Sequence, residues 1–280
     1  MVLESLLSPK QAIRRPWLLL LLGFVYASLA LLLSNWIFKD NASLVTVFLT
    51  VSALIPLFCQ FMESEELIGL LMGNERLVLR QHGKVVLSFI ALFIGMSAAF
   101  AFWYAALQTG PTMFSVQSQT IASMRQAVTG QAASGSLFLI IVQNNFKVLL
   151  FCVLFSFIYG AGAIFILTWN ASVIGVALGN FVKTGAATLS ASGSTPLVAY
   201  AASSGMSMLR YLVHGIPEIT SYFVGGLAGG ILSVAIVKMH WRRDQMDRVL
   251  LDVSDLLIAA MLILVAAAFI ESFITPMIMR

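Results

Sequence analysis

Long apolar runs, separated by short polar and basic stretches, set the pattern of this chain. The windows 17–38, 44–62, 85–107, 148–168, 217–237 and 249–274 are nearly uninterrupted in apolar residues. Each has about the 20 residues that an α-helix needs to cross roughly 30 Å of hydrocarbon. Lys10, Arg14 and Arg15 precede the first window, as they would in a signal peptide. Its apolar stretch is longer than the usual signal core of roughly 7–15 residues, so it reads as an uncleaved anchor.

The basic residues fall into three clusters: Lys10, Arg14 and Arg15; Arg76, Arg80 and Lys84; and Lys238, Arg242, Arg243 and Arg248. The positive-inside rule places all three on the cytoplasmic side and the N-terminus with them. Three crossings then leave 108–136 outside. Window 217–237 returns the chain to the inside, so an even number of crossings must lie between 136 and 217. Window 148–168 is one. The other must come from 169–183 and the small-residue stretch 184–204, too short and too interrupted for a plain span. Irregular backbone at membrane depth survives only inside protein or beside an aqueous cavity, which predicts a discontinuous or re-entrant element around 170–216. The alternative is six crossings, with 238–248 outside. Segment 63–84, with Leu67, Leu70, Leu71, Leu77 and Val78 at near-helical spacing between charges, reads as a cytoplasmic interfacial helix. Segment 108–136, polar and poor in charge, reads as an external loop with a helical turn or two around 116–128.

Composition agrees with a membrane setting. The 280 residues are 60% hydrophobic and 10% charged, too few charges to cover a soluble surface. The net charge of +4 would suggest a nucleic-acid partner in a soluble domain, but here it resides in the topology clusters, and no nucleic-acid partner is expected. Cys59 and Cys152 lie inside apolar runs, which argues against a disulfide framework or a metal knuckle. The sequence has no H-E-x-x-H, P-loop or G-x-S-x-G. His82 and His240 fall in basic segments, which leaves His214 as the one histidine available within the membrane. No cofactor, metal or catalytic framework is expected.

Two groups of glycines have the spacing that lets helices meet closely in lipid: Gly175 with Gly179, and Gly225 with Gly229 overlapping Gly226 with Gly230. The motif fits a neighbour in the same chain or in another.

Polar groups at depth are expensive, and each is a functional candidate. Pro217 favours a helix start and pushes Ile216 out of helical geometry, so His214, Gly215 and Ile216 read as a break and Glu218 as an acid in a first turn. There it is either a dipole-stabilised cap or, with His214, part of a broken-helix site. Glu271, near the end of the last run, is either a snorkelling acid near Arg280 or part of the same site. Asn144 and Asn145 interrupt an apolar run and, being about 100° apart on a helix, cannot share one face. Asn170 follows Trp169 in the short segment.

Asn144 and Asn145 at the head of a membrane helix, Gly160 and Gly162 leading to Asn170 and Gly175, His214, Gly215 and Glu218 before the 225–230 glycines, and the ending from Ile270 and Glu271 to Pro276 together resemble the stage II sporulation protein M family of multi-pass membrane proteins. The likeness covers roughly 137–276. Val213 stands where the family tends to have Pro before the His and Gly, and Ala171 where a Gly often follows the Asn. The resemblance implies a membrane anchor similar to one that recruits cell-wall hydrolases during engulfment, with the chemistry done by partners.

The expectation is an all-α polytopic transmembrane helix bundle in the cell membrane, with about six to seven spanning helices in one domain. Its first functional reading is a non-enzymatic scaffold with protein partners or a homo-oligomer. The second is a transporter or channel-like protein in which Asn144, Asn145, Asn170, His214, Glu218 and Glu271 face one intramembrane site. The side on which the C-terminus lies is left open.

Overall fold

The computed structural model describes residues 9–71, 75–131, 137–159, 162–193, 195–237 and 243–275. A short α1 (Pro9–Arg14) leads into α2 (Pro16–Ile37), and a 3-10 turn at Lys39–Asn41 leads into α3 (Ala42–Leu71). Then follow α4 (Glu75–Ala106), the short α5 (Gly110–Met113), α6 (Ser115–Gln131), α7 (Leu137–Tyr159), α8 (Ala163–Ala191), α9 (Pro196–Val237) and α10 (Arg243–Phe269), which ends in a π-helical turn, Ile270–Ile274. Seven of these, α2, α3, α4 and α7 to α10, contain stretches long and apolar enough to cross a membrane, and no strand occurs among the described residues. The chain is an all-α, polytopic helix bundle.

The two inner helices are α4 and α9. In their most apolar 18 residues, 78% of the positions on α9 are buried but only 17% of those on α7. Stacked rings of Phe58, Phe89 and Phe223, with centroids 4.7 and 5.5 Å apart, tie α3, α4 and α9 together, each pair contributing about 0.5–1.5 kcal/mol beyond area burial. Elsewhere backbone approach does the work. A Cβ on Gly175 would lie 2.6 Å from Cβ of Phe100, and one on Gly179 would lie 2.7 Å from the carbonyl of Ala101, so α8 can lie against α4 only through these glycines. Gly225 and Gly229 face Leu149 and Val153 of α7, and Gly226 faces Ala163 of α8. Gly230 is buried on the same helix. The neighbours of these glycines are in the same chain.

Thr168 meets Met96 and Lys183 meets the carbonyl of Leu107, which runs α8 parallel to α4. Asp252 of α10 meets His82 of α4 near the other end. With alternate passage, the exposed Arg14, Arg15, Arg80, Lys84 and Arg248 belong to one face of the bundle and Lys39 to the other.

Several sequence expectations are corrected. The element expected to be discontinuous around 170–216 is two full helices. Segment 169–183 lies inside the 29-residue α8. No break occurs at 213–217, because α9 is continuous over 42 residues with Pro217 inside it. Proline removes one N–H from the ladder, a single lost bond in a helix packed along α7, α8 and α10. The interruption lies between the end of α8 at Ala191 and the start of α9 at Pro196 instead. Gly193 there adopts φ +97°, the left-handed conformation that closes a helix at little cost only for glycine, and Pro196 opens α9 as a first-turn proline. The crossing drawn at 148–168 is divided: α7 ends at Tyr159 and α8 begins at Ala163. A Cβ at Gly162 would strike the backbone carbonyl of Phe155, so the chain turns back on itself there. Gly160 lies outside the described residues. Segment 63–84 is not a separate interfacial helix, since α3 and α4 carry through most of it as continuations of their membrane spans. Segment 108–136 is largely helical through α5 and the 17-residue α6, and buried Gln117 of α6 reaches Ser43 of α3 and Ser172 of α8.

Candidate functional site

Polar groups inside the bundle gather in two places. The first lies between α7, α9 and the π turn. Glu218 and Tyr222 are one turn apart on α9, and the Tyr222 hydroxyl donates to Oε1 of Glu218 at 2.7 Å. Tyr222 is fully buried. Glu271 lies on the π turn, which packs against α9 and α7, and Cys152 is buried on α7. A π turn displaces one backbone hydrogen bond and re-aims the side chains around it, which is why such turns concentrate at functional sites.

Asn145 faces this group from α7. Leu149, one turn further along α7, packs against Gly225, and one turn back from Gly225 on α9 comes Tyr222, with Glu218 a turn beyond. Asn145 is 4% exposed and its Nδ2 has no hydrogen-bond partner. Its Oδ1 has only a long contact, 3.5 Å, from the Asn144 amide. Ser272 Oγ, beside Glu271, is also buried without a partner. No Lys or Arg forms an ion pair with Glu218 or Glu271 among the described residues.

The outward face of the same helix is also polar. Gln143, Asn144 and Lys147 are exposed, and their spacing of three and four residues puts them on one stripe. Lys147 lies near the middle of the apolar stretch 138–158. The two adjacent asparagines therefore divide, with Asn145 turned inward and Asn144 outward, as a 100° step per residue requires.

Of the six candidate residues, Glu218 pairs with Tyr222, Asn145 is turned into the bundle, and Glu271 lies on the π turn that packs against α9. Asn144 is turned away, and Asn170 spends its amide on its own helix, donating to the Ile166 carbonyl at 2.7 Å. The backbone at His214 is helical, and its side chain lies outside the described residues.

The second polar group was not legible as a site in the sequence. His82 of α4 is held between Glu65 of α3, with Nδ1 to Oε2 at 2.8 Å, and Asp252 of α10, with Nε2 to Oδ2 at 3.0 Å. Gln81 Nε2 adds a long bond, 3.4 Å, to Glu65. Glu65 and His82 are 0% and 1% exposed and Asp252 is 14% exposed. An ionised carboxylate only accepts hydrogen bonds, so with both acids ionised each ring nitrogen must carry a proton. His82 is then not a solvated residue of a basic segment but the cationic centre of a three-helix clamp. One signal was available in the sequence: Asp252 is an acid within an apolar run. Among the described residues no group of three His, Cys, Asp or Glu side chains has the arrangement to hold a metal ion.

No curated protein and no solved structure matches the chain. A family model described as "Stage II sporulation protein M" matches residues 88–276, more than half of the chain and the part that holds both faces of α7, the glycines of α8 and α9, and the π turn. The chain belongs to the stage II sporulation protein M family.

Proposed function

We propose that this multi-pass membrane protein is a non-enzymatic scaffold of the cell membrane, with its N-terminus cytoplasmic, that holds a partner's transmembrane helix against the outward stripe of α7. The observation that carries this reading is Lys147, exposed with Gln143 and Asn144 at mid-depth on the least covered spanning helix. A lysine at the centre of a lipid-facing helix costs about 2.5–3.5 kcal/mol on insertion scales. A partner carboxylate at the same depth removes that cost, and amides beside it pair across helices. A second copy of this chain is a poor occupant, because a two-fold axis along the membrane normal would set Lys147 against Lys147. The partner is therefore a spanning helix of another chain bearing Asp or Glu near its middle. The family resemblance points the same way, towards an anchor whose chemistry is done by others. The one-sided distribution of Arg14, Arg15, Arg80, Lys84 and Arg248 supports the cytoplasmic N-terminus.

The test is complex size after extraction into native-lipid nanodiscs. Wild type should travel as a complex larger than one chain, and Lys147→Met and Lys147→Glu should release the single chain. A wild-type protein that runs alone, or a Lys147→Glu complex that stays intact, overturns the reading.

A second reading, transport, draws on the buried amide of Asn145 and the Glu218–Tyr222 pair inside the bundle. Solute flux into liposomes that is lost in Glu218→Gln supports it, and absence of flux across a panel of ions and amino acids counts against it.

A further inference from the structure

The group of His82, Glu65 and Asp252 has a proton count that goes beyond holding three helices together. Both ring nitrogens face carboxylate oxygens, Nδ1 to Glu65 at 2.8 Å and Nε2 to Asp252 at 3.0 Å. A carboxylate and a bare ring nitrogen are both acceptors, so each contact needs a proton between its heavy atoms. The two contacts together hold two protons, whichever atoms those protons sit on. With two protons the group carries one net negative charge. With one it carries two, and one contact sets acceptor against acceptor. The charged groups that face the ring are these two acids, from α3 and α10. The other described charged side chains of α1, α3, α4 and α10, Arg14, Glu63, Arg80, Lys84, Arg248 and Asp255 among them, are exposed. Helix α2 has none, and Lys183 of α8 and Glu218 of α9 bond to Leu107 and Tyr222 instead.

Burial decides which contact is lost when one proton leaves. Glu65 is 0% exposed and accepts only one further bond, a long one of 3.4 Å from Gln81, so a bare nitrogen facing it would leave its charge without hydration or a donor. Asp252 is 14% exposed and stands one turn from the exposed Arg248, while His82 lies two residues from the exposed Arg80 and Lys84. Water can therefore take the place of the ring at Asp252 and not at Glu65. The remaining proton stays on Nδ1, and the bond that opens runs from Nε2 to Asp252. Among the described residues that bond is the polar hold of α10 on α4. A third proton has a free carboxyl oxygen to occupy and breaks neither contact.

We infer that the contact between His82 and Asp252 is a proton-operated latch. With a proton between Nε2 and the carboxylate, α10 is held to α4; when that proton leaves to water past Asp252, α10 is released at this end while Glu65 keeps α3 and α4 joined. The latch rests on neither functional reading above.

The test follows ring and helix together in the full chain in nanodiscs as the pH is raised from neutral. Nitrogen NMR of isotope-labelled histidine, with His214→Gln and His240→Gln leaving only the His82 signals, distinguishes the doubly protonated ring from its two neutral tautomers. Nitroxide labels on the exposed Leu87 of α4 and Leu251 of α10, in a chain with Cys59→Ala and Cys152→Ala, give the separation of the two helices. The doubly protonated signal should give way to the form with its proton on Nδ1, and a wider label separation should gain population in the same pH step. In Asp252→Asn the side-chain amide accepts from a protonated Nε2 or, turned over, donates to a bare one, so the separation should no longer respond to pH. If that variant does not fold, the titration with Asp252 intact decides the matter. A ring that stays doubly protonated until the chain unfolds, a proton kept on Nε2, or a separation unmoved as the ring loses its proton overturns the inference. So does a separation that moves equally in Asp252→Asn.

Discussion

Replacing His82 by Ala removes the one cationic group between two carboxylates that are 0% and 14% exposed. Two charge-assisted hydrogen bonds, 2.8 and 3.0 Å long, disappear, each worth about 1.5–3 kcal/mol. The fully buried Glu65 is left without its counter-ion. Breaking a buried pair by removing one partner costs about 3–5 kcal/mol, and solvent screening relieves little of that here because His82 and Glu65 are both dry. Taking about 4 kcal/mol at about 2–4 °C per kcal/mol for a chain of this order of size gives a fall in Tm of roughly 8–16 °C. The assay is thermal unfolding of the purified protein in nanodiscs, followed by tryptophan fluorescence. A double substitution, His82→Ala with Glu65→Leu, should recover much of the loss, because an apolar replacement of a buried pair is often close to neutral. A His82→Ala protein melting within about 2 °C of wild type, or a double variant worse than the single one by the full cost of a second core substitution, refutes the clamp.

Three further outcomes follow from the packing. Gly179→Leu should lower stability by more than the roughly 1–3 kcal/mol of ordinary overpacking, since the side chain would enter backbone of α4 at Ala101; unchanged Tm would contradict the α4–α8 contact. Gly193→Val should cost about 1–2 kcal/mol through its left-handed φ alone, with no neighbour to strike; a neutral result would mean that the turn between α8 and α9 is not closed by Gly193. Tyr222→Phe should destabilise by about 1–3 kcal/mol, because it removes the donor to Glu218 while preserving the buried ring; a stabilised variant would show that the hydrogen bond does not form.

The membrane-spanning character and a count of about six to seven spanning helices were legible because hydropathy reads length and polarity directly. The boundaries were less so. Pro217 has the sequence signature of a helix start and lies inside a helix all the same, since local preference yields where packing on several sides holds the rod. The true end of α8 carried its own signal in Ser192, Gly193 and Pro196, but the small residues around it resembled a re-entrant loop. Glu218, Glu271 and Asn145 were legible as costly polar groups, and the neighbours of each were not, because they depend on how α7 and α10 rotate against α9. Glu65, His82 and Asp252 are far apart in the chain, and each alone passes for an interfacial charge. Lys147 carries no meaning in the sequence pattern alone, and only the poor coverage of α7 gives it one.

The claim that α7 holds a partner helix is tested most directly by a photo-crosslinking residue placed in intact membranes at Asn144, on the outward stripe, and at Cys152, on the buried face. The account predicts a discrete protein adduct from position 144 that is lost when Lys147→Glu is added, and none from position 152. Adducts with lipid alone at 144, or a protein adduct indifferent to the charge at 147, would contradict it.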